Sequence, residues 1–461
     1  MKNMKRVLAV LLTLALAMPL CLSGCGGREA GPLRICVDVG GGMFFRRSSP
    51  ALEFENLLKN LADYGGPKEV EVEYIPEEGA DRESVIKHLK TELMSGSGPD
   101  LFIVDAFDGN FYSDRPVFPF PEQMIERRVF LPLDEHIKKA RFAQWDRLTP
   151  KVMEAGRGSE GQILVPLAYT MPLTCYKAED YQHTQSAELT WPDMLDDGTG
   201  MLRQAGCFNR PGSTVGDSMA NIFTQLADYK EEELLFTEEE LLEAIEQKLT
   251  LWGECKDGKW DELPVCYQGR MSANFTPANY HLGMSSMDSL SVQTPMTMVP
   301  MYNREGGITA KVSTYAAINR NSKRADEAFF VLDYLLSTEA MEHSDFYEWI
   351  VRQNEAMVMD TNIGREGHNF LHSYTMCPEN QEQFDRLRDC ITSVSFSSLI
   401  DHEIDMALYD AVSVLYEDAG DDVTEYADLP TLETCSPEAR EKIRDIAAER
   451  YRVMGMELEE S

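Results

Sequence analysis

Met94-Ser-Gly-Ser-Gly-Pro-Asp100 runs directly into Leu101-Phe-Ile-Val-Asp105. The glycines and the proline stop one element and turn the chain. The apolar run that follows, charged only at its ends, is the kind of strand a parallel sheet buries on both faces. Upstream, Asp81 to Met94 places Val85, Ile86, Leu89, Leu93 and Met94 on one helical face, and Val70 to Ile75 alternates apolar with acidic residues as a strand with one solvated face does. Earlier still, Ala51 to Tyr64 has helical spacing and stops at Gly65-Gly66-Pro67, while Leu33 to Val39 is a β-rich run that breaks at Gly40-Gly41-Gly42. Strand, helix, strand, helix, strand predicts an α/β lobe.

Downstream, Gln162 to Pro166 and Leu173 to Tyr176 predict short strands around Ala168-Tyr-Thr170. From Leu189 to Leu251 the pattern is helix-rich, with Thr237 as N-cap and Glu240 completing a capping box. Met296 to Met301 and Ala310 to Ile318 return to strand, and Ala325 to Leu336 is an amphipathic helix. The tail from Met341 reads as largely helical and ends with Glu438 to Met454.

The chain opens with Lys2, Lys5 and Arg6, an apolar run from Val7 to Leu20, and Leu22-Ser-Gly-Cys25. A positive start, a short apolar core and small residues before a cysteine make residues 1–24 a lipoprotein export signal, too short for a lasting span. Cys25 is the expected lipidation site, with residues 25–32 as a Gly- and Pro-containing tether, so acyl chains would hold the protein to a membrane leaflet.

The 461 residues carry 43 basic and 78 acidic side chains, a formal charge of −35. The leader contains bases and no acid, so the remainder is more acidic still. That excludes nucleic acid and polybasic membrane contact as the chain's business, and is read as a solubility device. Ten cysteines include Cys21 in the leader and Cys25; an oxidising exterior permits bridges, but pairing is not set by sequence. Cys36 and Cys175 lie in apolar strand-like runs and are expected as buried thiols. There is no CxxC pair, and no metal or cofactor is expected.

Three segments resemble the extracellular solute-binding proteins of ABC importers, in the carbohydrate-type group that includes maltose-binding protein. Met94 to Asp105 is similar to that family's helix, glycine-rich turn, Pro-Asp and buried strand; Gly161-Gln-Ile-Leu-Val-Pro166 through Cys175-Tyr-Lys177 resembles the first crossing between lobes; Ala316-Ala-Ile-Asn319 with Ser322 to Glu339 resembles a strand leading into Ala-Phe-Phe-Val-Leu-Asp-Tyr-Leu-Leu and Ser-Thr-Glu. Gln268-Gly-Arg-Met271 is a weaker fourth match. Residues 107–128 are longer and richer in proline than the family pattern, and the tail beyond Ile363 has no match.

The resemblance implies an α/β fold of the periplasmic-binding-protein type, two α/β lobes joined by a hinge with a ligand cleft between them. It places residues 33–172 with 302–345 in the first lobe and 173–301 with 346–461 in the second. It implies a monomeric, non-enzymatic receptor at the extracytoplasmic face of a bacterial membrane, with a carbohydrate as ligand and ABC permease subunits as partners. A surface glycan hydrolase and a same-fold receptor for a peptide or polyamine are the alternatives. A sugar presents apolar C–H faces and hydroxyls, so its site needs aromatic planes and amide or carboxylate partners. Strand-following loops supply the positions: Phe44 beside Phe45 after the three glycines; Asp105 and Phe107 after the buried strand; Tyr169 and Thr170 at the crossing; Asn274 and Phe275 after the Gly-Arg-Met run; and Phe396 before a tail helix. Each has a plain structural alternative, with Asp105 as a cap and Tyr169 as a hinge brace. The five tryptophans are read as core or rim.

Catalytic signatures are thin. Gly96-Ser-Gly is a turn and not a strained nucleophile elbow, and 78 acids make any carboxylate pair uninformative. His368 and His372 have no Glu between them, and Asp193, Asp196, Asp197 and Gly198, only loosely similar to a calcium loop, are read as a helix end and turn instead.

Overall fold

The computed structural model describes residues 31–38, 58–59, 61–76, 79–106, 116–207, 218–264, 266–270, 295–337, 340, 356–357, 378–420 and 429–460. Among the described residues fourteen strands in chain order are β1 (Leu33–Asp38), β2 (Val70–Tyr74), β3 (Leu101–Asp105), β4 (Arg157–Gly158), β5 (Gly161–Gln162), β6 (Leu164–Thr170), β7 (Pro172–Lys177), β8 (Ala227–Asp228), β9 (Glu233–Leu234), β10 (Cys266–Arg270), β11 (Met296–Pro300), β12 (Ile308–Ile318), β13 (Ala356–Met357) and β14 (Ile391–Phe396). Seven of them form one mixed sheet in the order β13-β6-β12-β3-β1-β2, with β14 also on β12. A three-stranded antiparallel sheet, β10-β7-β11, organises the other half.

The Met94–Asp105 stretch behaves as its chemistry dictates. The helix Gly79–Met94 ends at a turn in which Gly96 and Gly98 take φ of 76° and 103°, a region that side chains resist. Leu101 to Val104 are buried, as expected of a strand covered on both faces. Asp100 ties three segments together: its carboxylate accepts the Arg34 N–H at 3.0 Å and the Ser322 hydroxyl at 2.6 Å. Asn319 closes the turn from the far side by donating to the carbonyls of Ser97 and Pro99.

β1, β2 and β3 run parallel, and β12 joins β3 antiparallel with Thr314 opposite Asp105. All eleven residues of β12 are buried, which marks it as the strand around which the large sheet is assembled. β14 runs parallel to the first half of β12 and meets the end of β3 head to head: Ala106 N–H bonds the Ser313 carbonyl and Ser397 N–H the Val312 carbonyl. The sequence reading of the tail as largely helical missed β14. Its alternating Ile391-Thr-Ser-Val-Ser-Phe396 is short and its pairing partner lies some eighty residues back, so the large sheet takes in chain beyond residue 345. The helix expected over Ala51–Tyr64 lies mostly outside the described residues, and Leu61–Tyr64 is a 3-10 turn.

Two buried clusters result. The first gathers Phe102, Val104, Tyr315, Ala316 and Leu332 about the large sheet and extends over Leu173, Cys175, Met296 and Met298 on one face of the small sheet. The second gathers Tyr176, Val299, Trp191, Leu241, Trp252, Ile404 and Ile443 on the other face, from helices Trp191–Leu195, Glu238–Lys256, Leu399–Ala419 and Pro437–Glu460. Among the described residues the chain passes between the sheets at Met171 (β6 to β7) and over 301–307 (β11 to β12), and from the large sheet to the second cluster at Ser397-Ser398 (β14 to the Leu399 helix). These are two α/β lobes joined by crossing segments.

The outer edge of β11 is closed by side chains. From the helix Pro378–Asp389, Asn380 accepts the Met296 N–H at 2.7 Å and Gln383 the Met298 N–H at 2.8 Å, while Gln185 donates to the Met298 carbonyl at 2.7 Å.

Candidate functional site

The parallel strands β1 and β3, and β6 beside β12, all end at one edge of the large sheet. Each ends on a polar or aromatic residue: Asp38, Asp105, and Tyr169-Thr170. The two carboxylates are treated differently. Asp38 is almost fully buried and clamped by Arg82, whose two terminal nitrogens reach its two oxygens at 2.8 and 2.7 Å. Arg82 also donates to the Pro76 carbonyl at 2.8 Å. This bidentate pair fixes the end of β1 to the helix Gly79–Met94, a structural role. Asp105 is half-buried, and its Oδ1 accepts the Thr314 hydroxyl at 3.0 Å.

Val104 stands between Asp38 and Tyr315 in the sheet, so all three share a face. The Tyr315 hydroxyl is buried without a hydrogen-bond partner. Burial, with Asp38 and Asp105 nearby, pushes the phenol well above its ordinary value. It stays a neutral, fully buried phenol on the face of the sheet that Asp38 shares.

Of the residues singled out in the sequence, Asp105 is at the rim. Tyr169 is on β6, fully buried, with its phenol pushed up to about 12 by burial, and its backbone pairs with Val312 and Ala356; this is the placing of a brace between strands. Thr170 pairs through its backbone with Lys311 at the crossing. Phe396 is 1 % exposed, with its ring edge-on to Tyr315 at 5.2 Å and 86°, and so packs in the core where the sequence reading had it as a ligand-facing aromatic. Phe44, Phe107, Asn274, Phe275 and Cys25 lie outside the described residues. Asp38, Arg82, Thr314 and Tyr315 were not singled out: ion pairing across 44 residues and an orphaned phenol leave no mark in local pattern.

The expectations for the Asp193–Asp197 segment, Cys36 and the tryptophans of the described core are met by the geometry. Asp193 caps its own helix through Thr190, and Asp197 accepts the N–H groups of Thr199 and Leu202, as a helix end and turn should. Cys36 is a buried thiol. Trp191, Trp252 and Trp260 are core residues. Among the described residues no group of three or more His, Cys, Asp or Glu side chains is placed to hold a metal ion, and no helix is long and apolar enough to cross a membrane.

Solved structures with the same architecture cover nearly the whole chain. The bacterial solute receptor AcbH, which has an exclusive preference for β-D-galactopyranose, superposes with a TM-score of 0.53 at 13% identity, covering 92% of this chain and 98% of that one. A family 1 extracellular solute-binding protein from Alicyclobacillus acidocaldarius gives 0.53 at 14%, covering 93% and 100%. The fold is that of the bacterial solute-binding proteins. The sugar-binding protein MalE from Xanthomonas citri gives 0.50 at 12%, covering 92% and 98%. No protein-family model and no curated protein matches the sequence. The α/β class predicted from Met94–Asp105 and its neighbours, and the two-lobed solute-binding fold that the family resemblance implied, are therefore correct, and at these identities the likeness speaks to the fold.

Proposed function

We propose that the protein is a lipid-anchored, monomeric receptor of an ABC importer, held through Cys25 at the extracytoplasmic face of the cell membrane. It captures a mono- or oligosaccharide in the cleft between its lobes, delivers it to a membrane permease and catalyses no reaction. The observation that carries this reading is the set of crossings among the described residues: the large sheet is joined to the small sheet at Met171 and over 301–307, and to the Leu399 helix of the second cluster at Ser397-Ser398. Lobes joined by short crossings can close on a solute that contacts both. Asp105, aligned by Thr314 at the strand-end rim, supplies the carboxylate that a sugar hydroxyl needs.

Titration of the protein lacking residues 1–24 against a panel of mono- and oligosaccharides, by calorimetry and thermal shift, tests the reading. Saturable heats with a matching rise in melting temperature for at least one sugar are expected. Silence across a broad panel, with binding of a peptide or polyamine instead, would replace the sugar and keep the receptor.

A further inference from the structure

The junction between the two buried clusters holds more charge than it neutralises. Glu122, in the short helix Pro121–Glu126, borders a cavity of about 350 Å³ walled by Ala155, Val394 and Phe396 on the side of the large sheet and by Leu226 and Tyr229 on the side of the second cluster. Glu122 Oε1 accepts the Phe396 N–H at 3.3 Å, whereas Oε2 is buried with no hydrogen-bond partner. The cation beside it is already committed: Lys311 Nζ on β12 bonds Asp401 Oδ1 and Ser395 Oγ, each at 2.9 Å. The second oxygen of Asp401 accepts the N–H and O–H of Ser398 at the start of the Leu399–Ala419 helix. The Tyr229 phenol stands among Glu122, Asp401 and Ser398.

The remaining charged groups around the cavity do not alter this balance. Glu126 is on the same helix and Glu154 on the helix Pro150–Ala155; Arg157 is paired with Asp134 at 3.3 Å. Lys230 is paired with Glu231 at 2.6 Å, and Asp228 accepts the N–H groups of Lys230 and Glu231. The junction therefore sets two carboxylates, the half-buried Glu122 with its closed-off Oε2 and the buried Asp401, against one ammonium. An unmatched buried charge is costly, and an oxygen closed to solvent is satisfied by a proton more readily than by a bound cation.

We propose that Glu122 is a proton switch on the arrangement of the two lobes: protonated it suits the closed junction, and ionised it drives the junction to open and hydrate the carboxylate. Burial pushes this carboxyl up to about 7, against the pull of Lys311 and the Phe396 N–H and with a smaller push from Asp401. The preference for the closed junction is complete below the ordinary carboxylate range and falls away as pH rises toward 7. The equilibrium between the two arrangements shifts on the order of a hundredfold over that interval. Elements of both lobes contact Glu122, so proton uptake and lobe movement are linked whatever the solute.

Small-angle scattering and hydrogen exchange on the solute-free protein, between pH 4.5 and 8 and corrected for intrinsic exchange, test this. In the wild type the radius of gyration and the protection of the Phe396 amide change together across the interval, and Glu122→Gln, fixed neutral, abolishes both changes. A flat wild-type profile, or an equal change in Glu122→Gln, overturns the proposal. Tyr229→Phe removes a phenol that steadies the ionised carboxylate and so moves the transition to higher pH; a transition that stays in place overturns the assignment to Glu122. None of these readouts needs a ligand, so their failure is separate from failure of the sugar reading.

Discussion

The indole Nε1–H of Trp145 and the carboxylate of Asp333 meet at 2.9 Å, and the same carboxylate accepts the backbone N–H groups of Arg141, Phe142 and Ala143 at 2.6, 3.0 and 3.1 Å. Asp333 is almost fully buried in the helix Ala325–Leu335. One side chain thus supplies the acceptors for a whole loop.

Asp333→Ala leaves those mostly half-buried donors without their shared acceptor, and is expected to cost about 2 kcal/mol of stability. Urea unfolding monitored by tryptophan fluorescence measures it. A loss under about 1 kcal/mol would mean that water reaches the loop and replaces the carboxylate.

Asp105→Asn keeps the oxygen that accepts from Thr314 and removes the charge. On the receptor reading it weakens sugar binding at least tenfold, roughly 1.4 kcal/mol, while stability moves by less than about 1 kcal/mol. Calorimetry with the best sugar of the panel and a parallel melt separate the two effects; unchanged affinity would put the sugar elsewhere than the end of β3.

His183 bonds the Tyr302 hydroxyl at 2.8 Å and is held down to about 4, mainly by burial, with Asp197 pulling the other way. Its folded value lies below the ordinary one, so the unfolded chain takes up the proton first. The stability it contributes is whole above about pH 6.5 and is lost as pH falls toward 4. Between pH 7.5 and 5 the wild type should lose about 2 kcal/mol that His183→Gln does not lose. Denaturant titrations at the two pH values give the comparison; parallel losses would assign the acid sensitivity to other groups.

What the sequence reveals of this protein follows the range of its interactions. The turn after Met94, the buried run to Val104 and the Thr237–Glu240 capping box, in which each side chain bonds the other's backbone, are local and were readable in full. β14 and the roles of Asp38, Glu122 and Phe396 depend on partners tens to hundreds of residues away, and no periodicity announces them. The position of Asp105 at the end of β3 was legible because a carboxylate closing an all-apolar strand is conspicuous. The aromatics proposed to stack on a sugar, Phe44, Phe107 and Phe275, fall in strand-following segments outside the described residues.

The amides of Asn380 and Gln383 on β11 bear on the protein's company as well as its fold. A bare strand edge is a template on which a neighbouring chain can lay its own strand. Here that side of the small sheet is already occupied from within the molecule by two residues one helical turn apart. Crowded copies meeting along this side find no row of open donors to copy, and polymerisation through it is shut off without a charge or a proline in the strand's interior.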